Sequence, residues 1–191
     1  MVFDRHHGGR ARLRRDGIRF ARPCVRVQVV PGQGYRSASL TKHIDVPPTG
    51  NFRISLDVRL DRPSGPYAEI DPLLLTFLPL GPGVRVQHFA IATFPNASRF
   101  EGFRALADGG AALSELPIIL SYGRFQHYDI AVRSSGGNVT ATLMVDGQGL
   151  TMRSLPASPV TSVTLSIGAP YTFDVDTMAT LRFDNIRIEP L

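Results

Sequence analysis

Residues 123–149 constrain the fold more tightly than any other stretch of the chain. Apolar side chains fall at Tyr128, Ile130 and Val132, then at Val139, Ala141, Leu143 and Val145, with Ser134-Ser-Gly-Gly-Asn138 between the two sets. Period two on both arms makes each a strand with one face toward a core, and the Gly-, Ser- and Asn-rich connection pairs them as an antiparallel hairpin. Asp146-Gly147 is a tight-turn dipeptide that reverses the chain again, so the unit is a β-meander.

The same pattern runs through the rest of the sequence. Phe52, Ile54, Leu56, Val58 and Leu60 alternate strictly with Arg53, Ser55, Asp57 and Arg59, which describes a strand with one dry and one wet face. Val25, Val27 and Val29 alternate with Arg26 and Gln28, and residues 34–46 are extended up to Pro47-Pro48. Ile70 to Leu80 and Val84 to Phe94 form a hairpin around Gly81-Pro-Gly83; both arms are apolar on two faces, so they are expected to lie centrally in a sheet. Short strands are also expected at Val2–Asp4 and Gly17–Phe20, and the last two over Val160–Ile167 and Thr180–Ile188. In the final strand Leu181 and Phe183 are odd-numbered and Ile186 and Ile188 even-numbered, so the phase slips at Asp184-Asn185 and a β-bulge is expected there. The Ala-rich piece Asp108–Leu116 reads as a loop with one short helical turn. Many strands, frequent Gly and Pro and almost no helix define an all-β antiparallel sandwich of jelly-roll type. The expected core includes Ile54, Leu56, Val58, Ile130, Val132, Leu143, Val145, Phe183 and Ile186.

Charge is concentrated at one end. Of the 21 basic side chains, seven lie in residues 1–22 against only Asp4 and Asp16, and the remainder of the chain is neutral. This divides the chain into an arginine-rich segment, 1–22, acting as an arm or first strand, and a single sandwich domain, 23–191. Arg10, Arg12, Arg14 and Arg15 are the candidates for contact with a polyanion; the alternative is a solvated first strand. His6-His7 has no carboxylate or cysteine at ligand spacing and reads as a loop. Cys24 is the only cysteine, which excludes an intrachain disulfide. The apolar run Pro72–Leu80 is far short of the roughly 20 residues of a membrane-spanning helix. No apolar segment follows the first arginines in the manner of a secretory signal. The expected location is inside the cell, or the surface or exterior if a leader has been removed.

Five segments in order, Gly34-Tyr-Arg-Ser-Ala-Ser-Leu40, Phe52–Leu60, Leu143-Met-Val-Asp-Gly147, Leu165-Ser-Ile-Gly168 and Arg182-Phe-Asp-Asn-Ile-Arg-Ile188, give the chain a resemblance to concanavalin A-like lectin/glucanase domains. It resembles in particular the laminin G-like modules of bacterial surface proteins, over roughly residues 34–190. The resemblance implies the sandwich fold and a choice among lectins, glycosidases and adhesion modules.

Glu69-Ile-Asp71 resembles the start of the Glu-x-Asp-x-x-Glu strand of laminarinase-type hydrolases, whose two carboxyl groups stand about 5 Å apart. The position of the second is occupied by Leu74, and Pro72 interrupts the alternation, so glycoside hydrolysis is the weaker alternative. His88 and His127 lie within strands and read as structural residues. No cofactor is expected. Calcium is the one metal the resemblance brings in, with Asp174, Asp176, Asp184 and Asn185 as oxygen donors and no EF-hand spacing. The leading expectation is a non-catalytic module that binds a polysaccharide or surface glycan through its loops or a concave face. Tyr35, Tyr67, Tyr122 and Tyr171 would supply sugar-stacking rings, Trp being absent, and Arg104 and Arg124 hydrogen-bond donors. The alternative is a structural subunit that packs into a homo-oligomer and uses the basic segment as an arm.

Overall fold

The computed structural model describes residues 11–12, 18–19, 25–29, 32–45, 50–61, 69–79, 87–93, 103–106, 112–116, 121–135, 138–151, 155–156, 160–175 and 179–191. Strict alternation produces the central strand of one sheet, β5 (Phe52–Asp61), which buries Phe52, Ile54, Leu56, Val58 and Leu60 and leaves the intervening residues half-buried. The meander follows as β10 (Phe125–Ser135), β11 (Asn138–Val145) and β12 (Gln148–Thr151). Its register pairs Ile130 with Leu143 and Val132 with Ala141, so the apolar phases of both arms face the same way. Asp146 (φ 49°) and Gly147 (φ 81°) form the left-handed pair of a type I′ turn between β11 and β12.

Sheet B is completed by β15 (Ala179–Pro190), β2 (Ile18–Arg19), β3 (Val25–Val29) and β13 (Leu155–Pro156), eight strands among the described residues. The path runs β12-β11-β10-β5-β15, and both of its margins are divided between short pieces. β12 and β13 share the outer side of β11, and β3 and β2 share the outer side of β15. The expected bulge is present: the β15–β5 register shifts between Asp184 and Arg187, and Asn185 is left-handed (φ 51°). It keeps Phe183 and Ile186 both in the core, each less than 5% exposed.

Sheet A holds seven strands in the order β1-β4-β14-β6-β7-β8-β9: β1 (Ala11–Arg12), β4 (Gly32–Asp45), β6 (Glu69–Pro79), β7 (Gln87–Thr93), β8 (Phe103–Leu106), β9 (Ala112–Leu116) and β14 (Val160–Val175). All pairs are antiparallel except β1 with β4. Its inner face contributes Ile44, Leu73, Leu75, Val163, Leu165 and Ile167 to the core between the sheets. β6 and β7 are interior strands, as their two apolar faces require.

One local expectation is corrected. Residues 112–116 are not helical but form β9, paired with β8. The helix preference of Ala and Leu amounts to tenths of a kcal/mol per residue, and the ladder beside β8 overrides it. Among the described residues there is no helix, and none long and apolar enough to cross a membrane. Val2–Asp4 and His6-His7 lie outside the described residues. Two pieces of the basic segment are in sheets: Ala11–Arg12 beside Ile44–Asp45, and Ile18–Arg19 beside Arg187–Ile188.

Candidate functional site: the outer face of sheet B

Alternation on β5, β10 and β15 sends one side-chain set to the core and the other outward, and register then arranges the outward set in rows across the strands. Phe125 is opposite Arg59, Arg59 is opposite Arg182, and Arg182 is opposite Arg26 of β3. Two residues along, His127 is opposite Asp57 and Asp57 opposite Asp184. The face therefore carries an arginine row that ends in an aromatic ring, beside an aspartate row that ends in a histidine.

The aspartate row is satisfied from within. Asp57 Oδ1 lies 2.6 Å from His127 Nδ1, and Oδ2 accepts from Asn185 Nδ2 at 2.6 Å. Because a carboxylate only accepts, Nδ1 is the protonated nitrogen of His127. Asp184 Oδ1 accepts from the Asn185 backbone N–H at 2.8 Å. Asn tolerates the left-handed backbone at this bulge, and that conformation places both of its amide donors among the carboxylates.

The backbone of His127 is fixed by the β11–β12 turn. Its N–H donates to Asp146 Oδ1 at 2.9 Å and its carbonyl accepts from the Asp146 N–H at 2.9 Å. Buried Gln126 donates from Nε2 to Asp146 Oδ2 (3.3 Å) and accepts from the Ser121 N–H (3.1 Å). Arg124 Nη2 is 3.6 Å from the same Oδ2. On the inner face, burial and then the charge of Asp146 push the Tyr128 phenol well above its ordinary pKa.

The arginine row is only partly compensated. Asp61 takes Arg59 Nε at 2.7 Å on one oxygen and Arg182 Nη2 at 3.4 Å on the other. Arg182 Nε is closed off from solvent without a hydrogen-bond partner, and exposed Arg26 has no ion pair among the described residues. At the end of the row Phe125 is 43% exposed, one of three large apolar side chains in that state among the described residues. Its position is set by the preceding turn, where Gly123 (φ 74°) donates its N–H to the Leu60 carbonyl at 2.9 Å.

The six expected sugar contacts divide between the sheets. Tyr122 and Arg124 precede β10 and adjoin this face; Arg124 is 67% exposed. Tyr35 in β4 is opposite Phe173, Tyr171 in β14 opposite Asp71, and Arg104 in β8 opposite Ala92 and Glu115, all in sheet A. Tyr67, Arg10, Arg14 and Arg15 lie outside the described residues, and Arg12 is in β1. Of the calcium donors, Asp184 and Asn185 bond each other, Asp174 is in β14 and Asp176 lies outside the described residues. Among the described residues no three His, Cys, Asp or Glu side chains are grouped to hold a metal ion.

Glu69 and Asp71 are in β6, whose register with β7 shifts between Ile70 and Leu73, around Pro72. The outer face of sheet A also carries a polar set, with Thr41 Oγ1 3.0 Å from Ser166 Oγ and His43 Nδ1 3.3 Å from Thr164 Oγ1. Phe125, Arg59, Arg182 and Arg26 are not among the residues expected from the sequence to contact a ligand. The available signal was the run of arginines at outward positions of β3, β5 and β15, which becomes a row only once the register is known.

No protein-family profile matches the chain, and no curated protein sequence matches it. Among solved structures it is similar to an alginate lyase from a Chlorella virus, with a TM-score of 0.59 at 10% identity over 93% of this chain and 90% of that one. A functionally unknown protein from Saccharomyces cerevisiae is similar at a TM-score of 0.54 and 9% identity, over 92% of this chain and 97% of that one. A basic winged bean lectin matches at a TM-score of 0.47 and 12% identity, over 91% and 92% of the two chains. At such identities the similarity is one of fold. The chain is an all-β jelly-roll sandwich of the concanavalin A-like class.

Proposed function

We propose that the protein is a non-catalytic carbohydrate-binding module that takes a polysaccharide on the outer face of sheet B. The observation that carries this reading is Phe125: an exposed ring fixed at the start of a core strand, in one row with forked arginine donors. A sugar presents an apolar ring face and a rim of hydroxyls, and a rigid aromatic beside planar donors complements both. The Asp146-Gly147 turn and the Asp184-Asn185 bulge, which belong to the segments shared with laminin G-like modules, support placing it in that group. The absence of a carboxylate at Leu74 supports a non-catalytic role.

Retention on a panel of neutral and acidic polysaccharides tests the proposal. The protein should bind at least one polymer, and Phe125→Ala should weaken that binding about tenfold, the loss expected for a stacking ring, without altering the melting temperature. Binding to none, or equal binding by the variant, would overturn it. New reducing ends or unsaturated sugars released during incubation would sink the non-catalytic part.

A further inference from the structure

We infer that the polysaccharide taken by this face is a linear acidic one, a polyuronate lying across the strands with its carboxylates along Arg59, Arg182 and Arg26. This rests on the reading of the face as the sugar-binding surface and names the ligand class.

Like charges directly opposite on neighbouring strands are unfavourable, and here three arginines stand opposite one another in sequence on β5, β15 and β3. One carboxylate, Asp61, is shared between two of them, and the third has no ion pair among the described residues. The neighbouring row shows that this fold can supply a like-charge pair with hydrogen-bond donors of its own, as it does for Asp57 and Asp184. A local conflict that the described residues compensate only in part is characteristic of a binding surface, where the remaining partner belongs to the ligand.

The geometry selects among anions. Neighbouring strands are about 4.8 Å apart, so the row from Phe125 to Arg26 spans three such gaps, about 14 Å. One pyranose of a linear polymer is comparable in length to one such gap, which brings successive sugars over successive strands. A guanidinium takes a carboxylate through two parallel hydrogen bonds, and Phe125 at the end of the row offers a ring to a sugar face. Single-stranded nucleic acid would need several aromatics to stack successive bases, and the row from Phe125 to Arg26 holds one.

The test uses the full chain, a polyuronate and the same polymer after chemical reduction of its carboxyl groups. Wild type should bind the polyuronate, more weakly at high salt, and the reduced polymer at least about tenfold less well. Arg26→Gln should weaken polyuronate binding about threefold and Arg182→Gln about fivefold, as expected for exposed and half-buried ion pairs. Either substitution should weaken binding of the reduced polymer by a smaller factor than binding of the polyuronate. Arg26 is the cleaner probe, since its side chain is exposed and has no ion pair among the described residues.

Equal, Phe125-dependent binding of both polymers would leave the sugar-binding reading standing and overturn the acidic one. Binding of neither would overturn the acidic reading, and binding to no other polymer of the panel would overturn the sugar-binding one with it. Equally tight binding of duplex DNA, with the same loss in both arginine variants, would make the row a general polyanion surface and overturn the inference. So would binding that survives Arg26→Gln and Arg182→Gln but is lost when Arg10, Arg12, Arg14 and Arg15 are replaced by Gln.

Discussion

Arg59 and Arg182 face each other across β5 and β15, and so, two residues along, do Asp57 and Asp184. The two rows share strands, pleat and exposure to solvent, yet their chemistry is completed differently. The acidic pair is closed by His127 from β10 and by both amide donors of Asn185. The basic pair shares one carboxylate and continues to a third arginine. Folding alone accounts for the first row. The second holds three arginines against one carboxylate among the described residues, and the proposed binding role rests on that difference.

The comparison can be broken or sharpened by substitution. The largest effect belongs to the side chain between the rows: Phe183, fully buried under β15, should cost about 3–5 kcal/mol when changed to Ala in denaturant unfolding, whatever happens outside. Raised pH should act next. The folded Tyr128 phenol holds its proton above the pKa of the unfolded chain, near 10, so stability is fully present below that pH and declines as pH rises through it. The slope from this group is at most about 1.4 kcal/mol per pH unit, and Tyr128→Phe should flatten a plot of unfolding free energy against pH above 10.

Asp57→Ala should destabilise by about 1–2 kcal/mol, because His127 and Asn185 both lose their acceptor; a neutral result would mean the aspartate row is ornamental. Asn185→Val should cost about 1–2 kcal/mol through the left-handed backbone, and Asn185→Gly less. At the small end, Arg26→Gln should change stability by less than about 0.5 kcal/mol, and any change should be a gain, since a repulsion is removed. A clear loss there would show that the arginine row is as structural as its neighbour.

What the sequence disclosed about this face follows the range of the interactions. The alternation of Phe52–Leu60, the Asp146-Gly147 turn and the slip at Asp184-Asn185 are properties of short stretches, and each appears in the structure as expected. β9 was missed because five residues with weak helix preference carry no local sign of the strand that will pair with them. Neither row was visible in advance. Asp57 meets His127 across 70 residues and Asn185 across 128, and only the register of β5 with β10 and β15 brings them together. His127 reads as an ordinary strand histidine for the same reason: nothing in its own neighbourhood announces Asp57. The tyrosines chosen for their turns separate between sheets because proximity to a turn does not say to which sheet that turn belongs.

The divided margins of sheet B bear on how the molecule behaves in a crowd. A long, straight outer strand offers a neighbouring chain a continuous line of backbone donors and acceptors, the template on which sheets join edge to edge. Here one margin is made of four residues and then two, ending in Pro156, which has no N–H to offer, and the other of five and two. The bulge at Asp184-Asn185 falls between the two pieces on its side, twisting the strand they cover. Among the described residues an incoming strand meets no uninterrupted ladder at either margin of sheet B. A face that presents an exposed ring and a row of arginines to solvent is thereby bordered, among the described residues, by margins ill suited to edge-to-edge pairing with another copy.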